Sequence, residues 1–417
     1  MNQSFMTRNP LLDKSRNIVG YEVRFRDINA FRPDVIPTKS QGEALALFLK
    51  EGDLRQVTGE KLALVNLGPD LVNNHITALV PKERVVLGIS SETSLENVVL
   101  IEQCKVLHEQ GYRFCLNKFA PDKSFSPFLQ VAEFVELSAT GKDHARMAED
   151  VSLVKKLPAK LLASDVNSEE EYAICQDLGF DLYEGRFYYK QPVAGSKSVS
   201  PSQLLLLELS AHLARDEDVY KVEAVFKKNP ELSFGLLKLI NSAFFRVQQR
   251  VTSIRQAIAL LGYGNLQKWV GLLLFTVDHR DHTFNPLVEK VLTRGRMMEL
   301  LAERVTGSKT AADSAFIVGM LSFVDVLFGK PLKEIVEKLS LADEIRDALT
   351  ERAGVLGTLL AITEDLDDEK YEELSNKCTS LGIRPIDLLS IETKAMLEYQ
   401  ASLNDDLRRV TQEKEAS

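Results

Sequence analysis

Short apolar runs recur through the first half of the chain and then vanish, and that change of texture limits the fold more than any single motif. The strand-like runs are Ile18–Phe25, Leu62–Asn66, Val85–Ile89, Tyr112–Leu116, Phe134–Leu137, Lys160–Ala163 and Leu182–Tyr188. Helical patterns over Gly42–Lys50, Leu95–Gln110, Asp143–Leu157 and Glu169–Leu178 lie between them. Gly111 and Gly179 punctuate helix ends, and Ser168 is placed to cap the helix that begins at Glu169. The later strands return roughly every 20–27 residues, the length of a βα unit. This periodicity predicts an α/β domain with a parallel sheet.

The rhythm ends in PVAGSKSVSP, Pro192–Pro201, a Pro/Gly/Ser-rich joint. Beyond it strand signals disappear. Helical patterns follow one another from Gln203–Arg215 to Gly354–Glu364, among them Asn285–Thr306 and Ala311–Phe328, and Gly262, Gly307, Gly329 and Gly382 stand at helix stops. Pro385–Gln400 is amphipathic and is expected to close this all-helical domain or to meet a partner, and Asp405–Ser417 is a charged tail. With 417 residues, two domains are expected, 1–195 and 196–417.

Composition narrows the function. A net charge of −9 and a pI near 5.4 argue against nucleic acid as a partner. The four cysteines, Cys104, Cys115, Cys175 and Cys378, form no CxxC and fit buried, reduced thiols. The longest apolar run, Trp269–Phe275, is far too short to span a membrane, and no apolar leader opens the chain. A cytoplasmic protein is expected. The pair His279 and His282 falls before Asn285-Pro286 and reads as a solvated loop, and His212 has no evident carboxylate partner.

The stretch Asn17–Arg26, NIVGYEVRFR, carries a carboxylate and two guanidiniums at the end of a strand. It resembles the first strand of the EAL domain, the cyclic di-GMP phosphodiesterase fold, whose signature would read YEALLR. The resemblance implies a TIM-like (β/α) barrel whose site lies at the C-terminal ends of the strands. It also implies a pair of divalent cations held by carboxylates and a general base for the attacking water. Glu22, Arg26 and Asn66 match the family pattern and are candidate cyclic di-GMP contacts. Other positions depart from it. Gly88 and Ser91 stand where two glutamates are expected, and Asn117-Lys118 replaces an aspartate pair. Glu136 and Ser138 replace the ends of a KID triplet, Ser164 lies in an altered AEGVE segment, and Glu184 replaces the glutamine of a Gln-Gly. From these departures no metal and no cofactor are expected. Lys118 either pairs with Glu22 or Glu136 or points to solvent. Arg24 and Arg26 either hold a phosphate or pair with barrel carboxylates.

A second resemblance covers the helical half. NPELSFGLLKLINSAFF followed by SIRQAIALLGYGNLQKWVG is similar to the HDOD domain, with Asn241-Ser242 and Leu261-Gly262 at its signature positions. In the related HD phosphohydrolases a His-Asp doublet binds metal; here Ser322-Phe323 stands in its place. Together the two resemblances cover about Asn9 to Tyr399. They lead to an expectation of a degenerate EAL barrel followed by an HDOD domain, a non-enzymatic bacterial protein of cyclic di-GMP-linked signalling. It would act through contacts with other signalling proteins and form a homodimer. The alternative is a cyclic di-GMP receptor that binds without hydrolysis.

Overall fold

The computed structural model describes residues 5–26, 45, 48–49, 53–67, 80–90, 98–119, 127–190, 200–241, 251–276, 286–339 and 341–415. The chain divides into two compact units. One comprises Met1–Gln191 with Thr283–Pro286 and Arg384–Ser417, and the other Pro192–His282 with Leu287–Ile383.

The first unit is a closed eight-stranded barrel of β1 (Phe5–Leu12), β2 (Ile18–Arg26), β3 (Leu62–Leu67), β4 (Val85–Ser90), β5 (Arg113–Asn117), β6 (Ala132–Ser138), β7 (Lys160–Val166) and β8 (Leu182–Gly185). From β2 to β8 the neighbours run parallel. β1 is antiparallel to both β2 and β8, and Leu12–Tyr183 is its one pairing with β8. The sequence rhythm misses β1, because Pro10 sits inside it and proline reads against a strand. It also overextends β8. The chain leaves the strand at Gly185 (φ 144°), where a Cβ would strike the Val166 backbone, and a short helix, Phe187–Lys190, follows. The Glu169–Asp177 helix begins as expected: Ser168 and Glu171 form a reciprocal capping box.

Period-two alternation sorts the barrel residues. Outward-facing Val23, Val65, Leu87, Leu116, Val135, Ala163 and Tyr183 join the large core between strands and helices. Inward-facing Leu11, Leu64, Val86, Cys115, Phe134 and Leu162 form a separate apolar plug inside the barrel. All four cysteines are free and buried.

The C-terminal helix, Pro385–Glu415, corrects the expected boundary of 196–417. It closes the barrel unit rather than the helical one. Thr393 Oγ1 accepts from Met6 N–H (3.2 Å) and donates to the Met6 carbonyl (3.1 Å). Buried Arg8 donates to Gln400 Oε1 (2.6 Å) and to the Val57 carbonyl, and its guanidinium lies 4.0 Å from the Tyr21 ring centroid. Met396 enters the barrel core. The outer side of β1 carries a buried cation, and a helix 31 residues long supplies its partner and its apolar cover.

In the second unit the expected Ala311–Phe328 helix is broken into Lys309–Leu321 and Val324–Phe328 at Ser322-Phe323. A further helix, Tyr371–Ser380, lacks a strong apolar stripe and escapes the periodicity. Lys309–Phe328 is apolar and long enough by composition to cross a membrane, but 72% of its most apolar window is buried within the protein.

Candidate active site at the barrel mouth

One step beyond the apolar plug, the inward positions turn polar on every strand except β4, where Gly88 follows Val86. Leu64 is followed on its face by Asn66, Cys115 by Asn117, Phe134 by Glu136, Leu162 by Ser164 and Leu182 by Glu184. On β2 the corresponding residue is Glu22, and on antiparallel β1 it is Asn9, paired in register with Glu22. The same period-two rule that builds the plug therefore builds a polar ring above it. The ring opens into a cavity of about 400 Å³, lined by Glu22, Arg24, Asn66, Asn117, Lys118 and Glu136 and, on its other side, by Ser138, Ser164, Asp165 and Glu184.

Hydrogen bonds tie the ring into two chains. In one, Arg24 Nη2 donates to Glu22 Oε2 (2.9 Å), Asn66 Nδ2 donates to Glu22 Oε1 (2.7 Å), and Asn117 Nδ2 donates to Asn66 Oδ1. The last bond passes from β5 to β3 across β4. It can do so because residue 88 is glycine: a Cβ there would collide with both amides. In the other, Asn9 Nδ2 donates to Glu184 Oε1 (3.0 Å), the Asp165 N–H donates to Glu184 Oε2 (3.2 Å), and Ser138 Oγ donates to Asp165 Oδ2 (3.0 Å). Asp165 is a site residue that sequence reasoning missed. It occupies an irregularity in the β7–β8 pairing with φ 54°, a conformation that aspartate tolerates better than most residues. Lys118, at φ 50°, ends β5 in the same backbone region.

Burial and the negative charge of Glu22 push the Glu136 carboxyl up to about 7. The same two causes raise Glu184. Burial, with Glu136 and Glu22 beside it, keeps the Cys115 thiol protonated.

Of the residues expected at the site, Glu22, Asn66, Gly88, Asn117, Lys118, Glu136, Ser138, Ser164 and Glu184 all come to this mouth. Ser91 and the Arg26 side chain lie outside the described residues. The oxygens of Glu22 accept from Arg24 and Asn66, and Lys118 lines the same cavity. These residues do not fit the pair of divalent cations that the resemblance implies. Both oxygens of Glu22 and both of Glu184 already accept hydrogen bonds, and Gly88 has no room for a ligand. Among the described residues no three His, Cys, Asp or Glu side chains form a set that could hold a metal ion.

In the helical unit, the signature Asn241 ties the end of its helix to Val251. Its Nδ2 donates to the Leu237 and Val251 carbonyls and its Oδ1 accepts from Val251 N–H, each at 2.8 Å. At the position of the His-Asp doublet, the Arg294 guanidinium donates to Ser322 Oγ (3.0 Å), pairs with Asp367, and lies 4.0 Å from the Phe323 ring centroid. His212 does have a carboxylate partner, Glu217, at 3.0 Å. His279 and His282 lie outside the described residues.

Comparison with known proteins places these two units. Residues 205–352 match the HDOD domain family. This part of the chain is an HDOD domain. The N-terminal region matches solved EAL structures. One is the manganese and cyclic di-GMP complex of Klebsiella pneumoniae BlrP1 at pH 9.0, with 17% identity, a TM-score of 0.37, and coverage of 44% of this chain and 55% of that one. Another is a standalone EAL protein from Vibrio cholerae O395 bound to c-di-GMP, with 17% identity, a TM-score of 0.35, and coverage of 45% and 92%. Two relatives match nearly end to end. "Cyclic di-GMP phosphodiesterase CdgJ" of Vibrio cholerae serotype O1 is 28% identical over 390 residues, 92% of this chain and 89% of its own length. "Uncharacterized protein YuxH" of Bacillus subtilis is 24% identical over 395 residues, 91% and 93%. The EAL–HDOD order expected from the sequence stands. The expectation of a non-enzymatic protein acting only through protein contacts, or of a receptor that binds without cleaving, is overturned: the full-length relative bears the name of an enzyme.

Proposed function

We propose that the chain is a cyclic di-GMP phosphodiesterase working at the barrel mouth. The observation that carries this reading is the convergence of four carboxylates and two cations on one open polar cavity. The name of the Vibrio cholerae relative, matched along nine-tenths of both chains, supports the choice of substrate. Hydrolysis adds water across one phosphodiester. Glu136, titrating near neutrality, takes a proton from the attacking water as its oxygen bonds to phosphorus. Glu184, whose raised pKa keeps it protonated, gives a proton to the departing ribose oxygen as the P–O bond breaks. The products are a linear dinucleotide and an enzyme whose two carboxyls have exchanged one proton, which solvent restores. Arg24 and Lys118 face the charge that gathers on the phosphoryl oxygens. Glu22, held by Arg24 and Asn66, fixes the Arg24 fork.

The test is incubation of the full-length protein with cyclic di-GMP, with chromatographic detection of the linear dinucleotide, for wild type and Glu136→Gln. Cleavage that falls roughly a hundredfold or more in the variant is expected for loss of a general base. No linear product from wild type under any condition refutes the reading.

A further inference from the structure

We infer that the barrel mouth engages the phosphodiester through its own cations, Arg24 and Lys118, and does so without a divalent metal. The inference rests on the phosphodiesterase reading for its ligand, and it departs from the two-cation site that an EAL barrel implies.

Two observations carry it. First, Glu22 and Glu184 are hydrogen-bonded inside the protein, the one to Arg24 and Asn66, the other to Asn9 and the Asp165 backbone, and among the described residues no three His, Cys, Asp or Glu side chains are grouped as a metal-ligand set. Second, the Asn66–Asn117 amide pair fills the space over Gly88, so that strand contributes neither a ligand nor room for a hydrated ion.

Charge points the same way. The cavity lining carries four carboxylates, Glu22, Glu136, Asp165 and Glu184, against Arg24 and Lys118. Glu184 is in the acid form that burial favours and Glu136 titrates near neutrality, so the lining's negative charge is reduced while both cations keep theirs. The dianionic ligand then meets a mouth whose positive charge lies on exposed Lys118 and on an Arg24 side chain 37% exposed. Arginine suits a phosphate as a planar fork and lysine as a point charge.

The experiment measures equilibrium binding of cyclic di-GMP to the full-length protein in EDTA and in Mn²⁺, with cleavage followed in the same samples. The expected result is the same Kd within about twofold in both conditions, weakened roughly tenfold or more by Lys118→Asn and retained in Lys118→Arg. Asparagine is chosen because it accepts the backbone conformation at 118. Binding only in Mn²⁺, a tenfold gain from Mn²⁺, or wild-type affinity in Lys118→Asn would overturn the inference. Metal-independent binding without cleavage in either condition would refute the phosphodiesterase reading and leave the inference standing. Absence of binding in both conditions would sink both.

Discussion

Replacing Arg294 with methionine tests the helical unit at the position where an HD enzyme would hold its metal. Arg294 and Ser322 are 7% and 8% exposed, and Phe323 is 2% exposed. The substitution keeps most of the apolar stem and removes the guanidinium. What is lost is a charge-assisted bond to Asp367, a bond to Ser322 and the contact with the Phe323 ring. Bonds to charged groups contribute ~1.5–3 kcal/mol and a desolvated cation–π contact up to ~2 kcal/mol. Removing one member of a buried pair costs ~3–5 kcal/mol when its partner is left alone. Asp367 is not left alone, because Lys290 also pairs with it, and Ser322 still donates to the Gly319 carbonyl. The loss should therefore fall near ~3 kcal/mol, the lower end of that range.

The assay is urea unfolding followed by tryptophan fluorescence. Trp269 is the sole tryptophan of the chain and lies in the helical unit, so its signal reports on that unit rather than on the barrel. With a slope of ~2 kcal/mol per molar urea, the midpoint should fall by roughly 1.5 M. Acid gives an independent check. Burial alone would raise the Asp367 pKa, but Lys290 and Arg294 override it and hold the group below its ordinary value. The unfolded chain then binds a proton first, so this stabilisation is present above pH ~4 and is lost as pH falls through the folded pKa. Without Arg294 the folded pKa moves back towards the unfolded value, so this acid-linked loss should shrink. A midpoint shift below ~0.3 M with an unchanged acid limb would show that the guanidinium holds nothing together.

Gly88→Ala should separate the Asn66 and Asn117 amides and destabilise the barrel by ~1–3 kcal/mol, read as a lower barrel transition in calorimetry; an unchanged transition would contradict the packing described. Glu136→Gln should make the barrel more stable at pH 8. The raised pKa means the native state holds a proton that the unfolded chain releases above pH ~4.3, so wild-type stability falls as pH rises towards about 7. The measurement is barrel Tm at pH 5 and pH 8, and a variant with the wild-type pH slope would refute the assignment. A fragment of residues 1–195 should be markedly more protease-sensitive than the full chain, and adding the 384–417 peptide should restore protection, because Arg8, Met6 and the outer side of β1 lose their cover without it. Equal protection with and without the peptide would argue against that docking.

The barrel was legible in the sequence because its rule is simple: alternate residues face the plug or the outer core, and strands return at a βα spacing. The failures follow from what the rule cannot carry. β1 was hidden by Pro10, and the last strand ran on because nothing in LYEGRFYY shows that Gly185 must pass against the Val166 backbone. The site positions were legible one by one, but their bonds were not. No pattern says that the Asn117 amide reaches across Gly88 to Asn66, or that Arg24 and Asn66 take the two oxygens of Glu22. Asp165 had one usable signal, an aspartate where the AEGVE segment resembled here has glycine, which asks for a positive φ. The C-terminal helix was visible as amphipathic, but its destination, β1 at the opposite end of the chain, is a property of three-dimensional packing.

The two units meet the same electrostatic problem with different outcomes, and the difference decides where chemistry can occur. Each sets an arginine among polar partners: Arg294 beside Ser322-Phe323, and Arg24 beside Glu22. Arginine stays charged at any pH the protein meets and no chelator removes it. In the helical unit that charge is sealed. Arg294 is 7% exposed, and Asp367, Ser322 and the Phe323 ring occupy its surroundings, so the guanidinium stabilises packing and presents nothing to a ligand. At the barrel mouth Arg24 keeps 37% of its side chain exposed over a cavity of about 400 Å³, beside two carboxyls whose pKa values burial has raised. Accessible positive charge, proton-carrying groups and open volume coincide there, and that coincidence favours the barrel over the HDOD domain as the seat of the proposed phosphodiester chemistry.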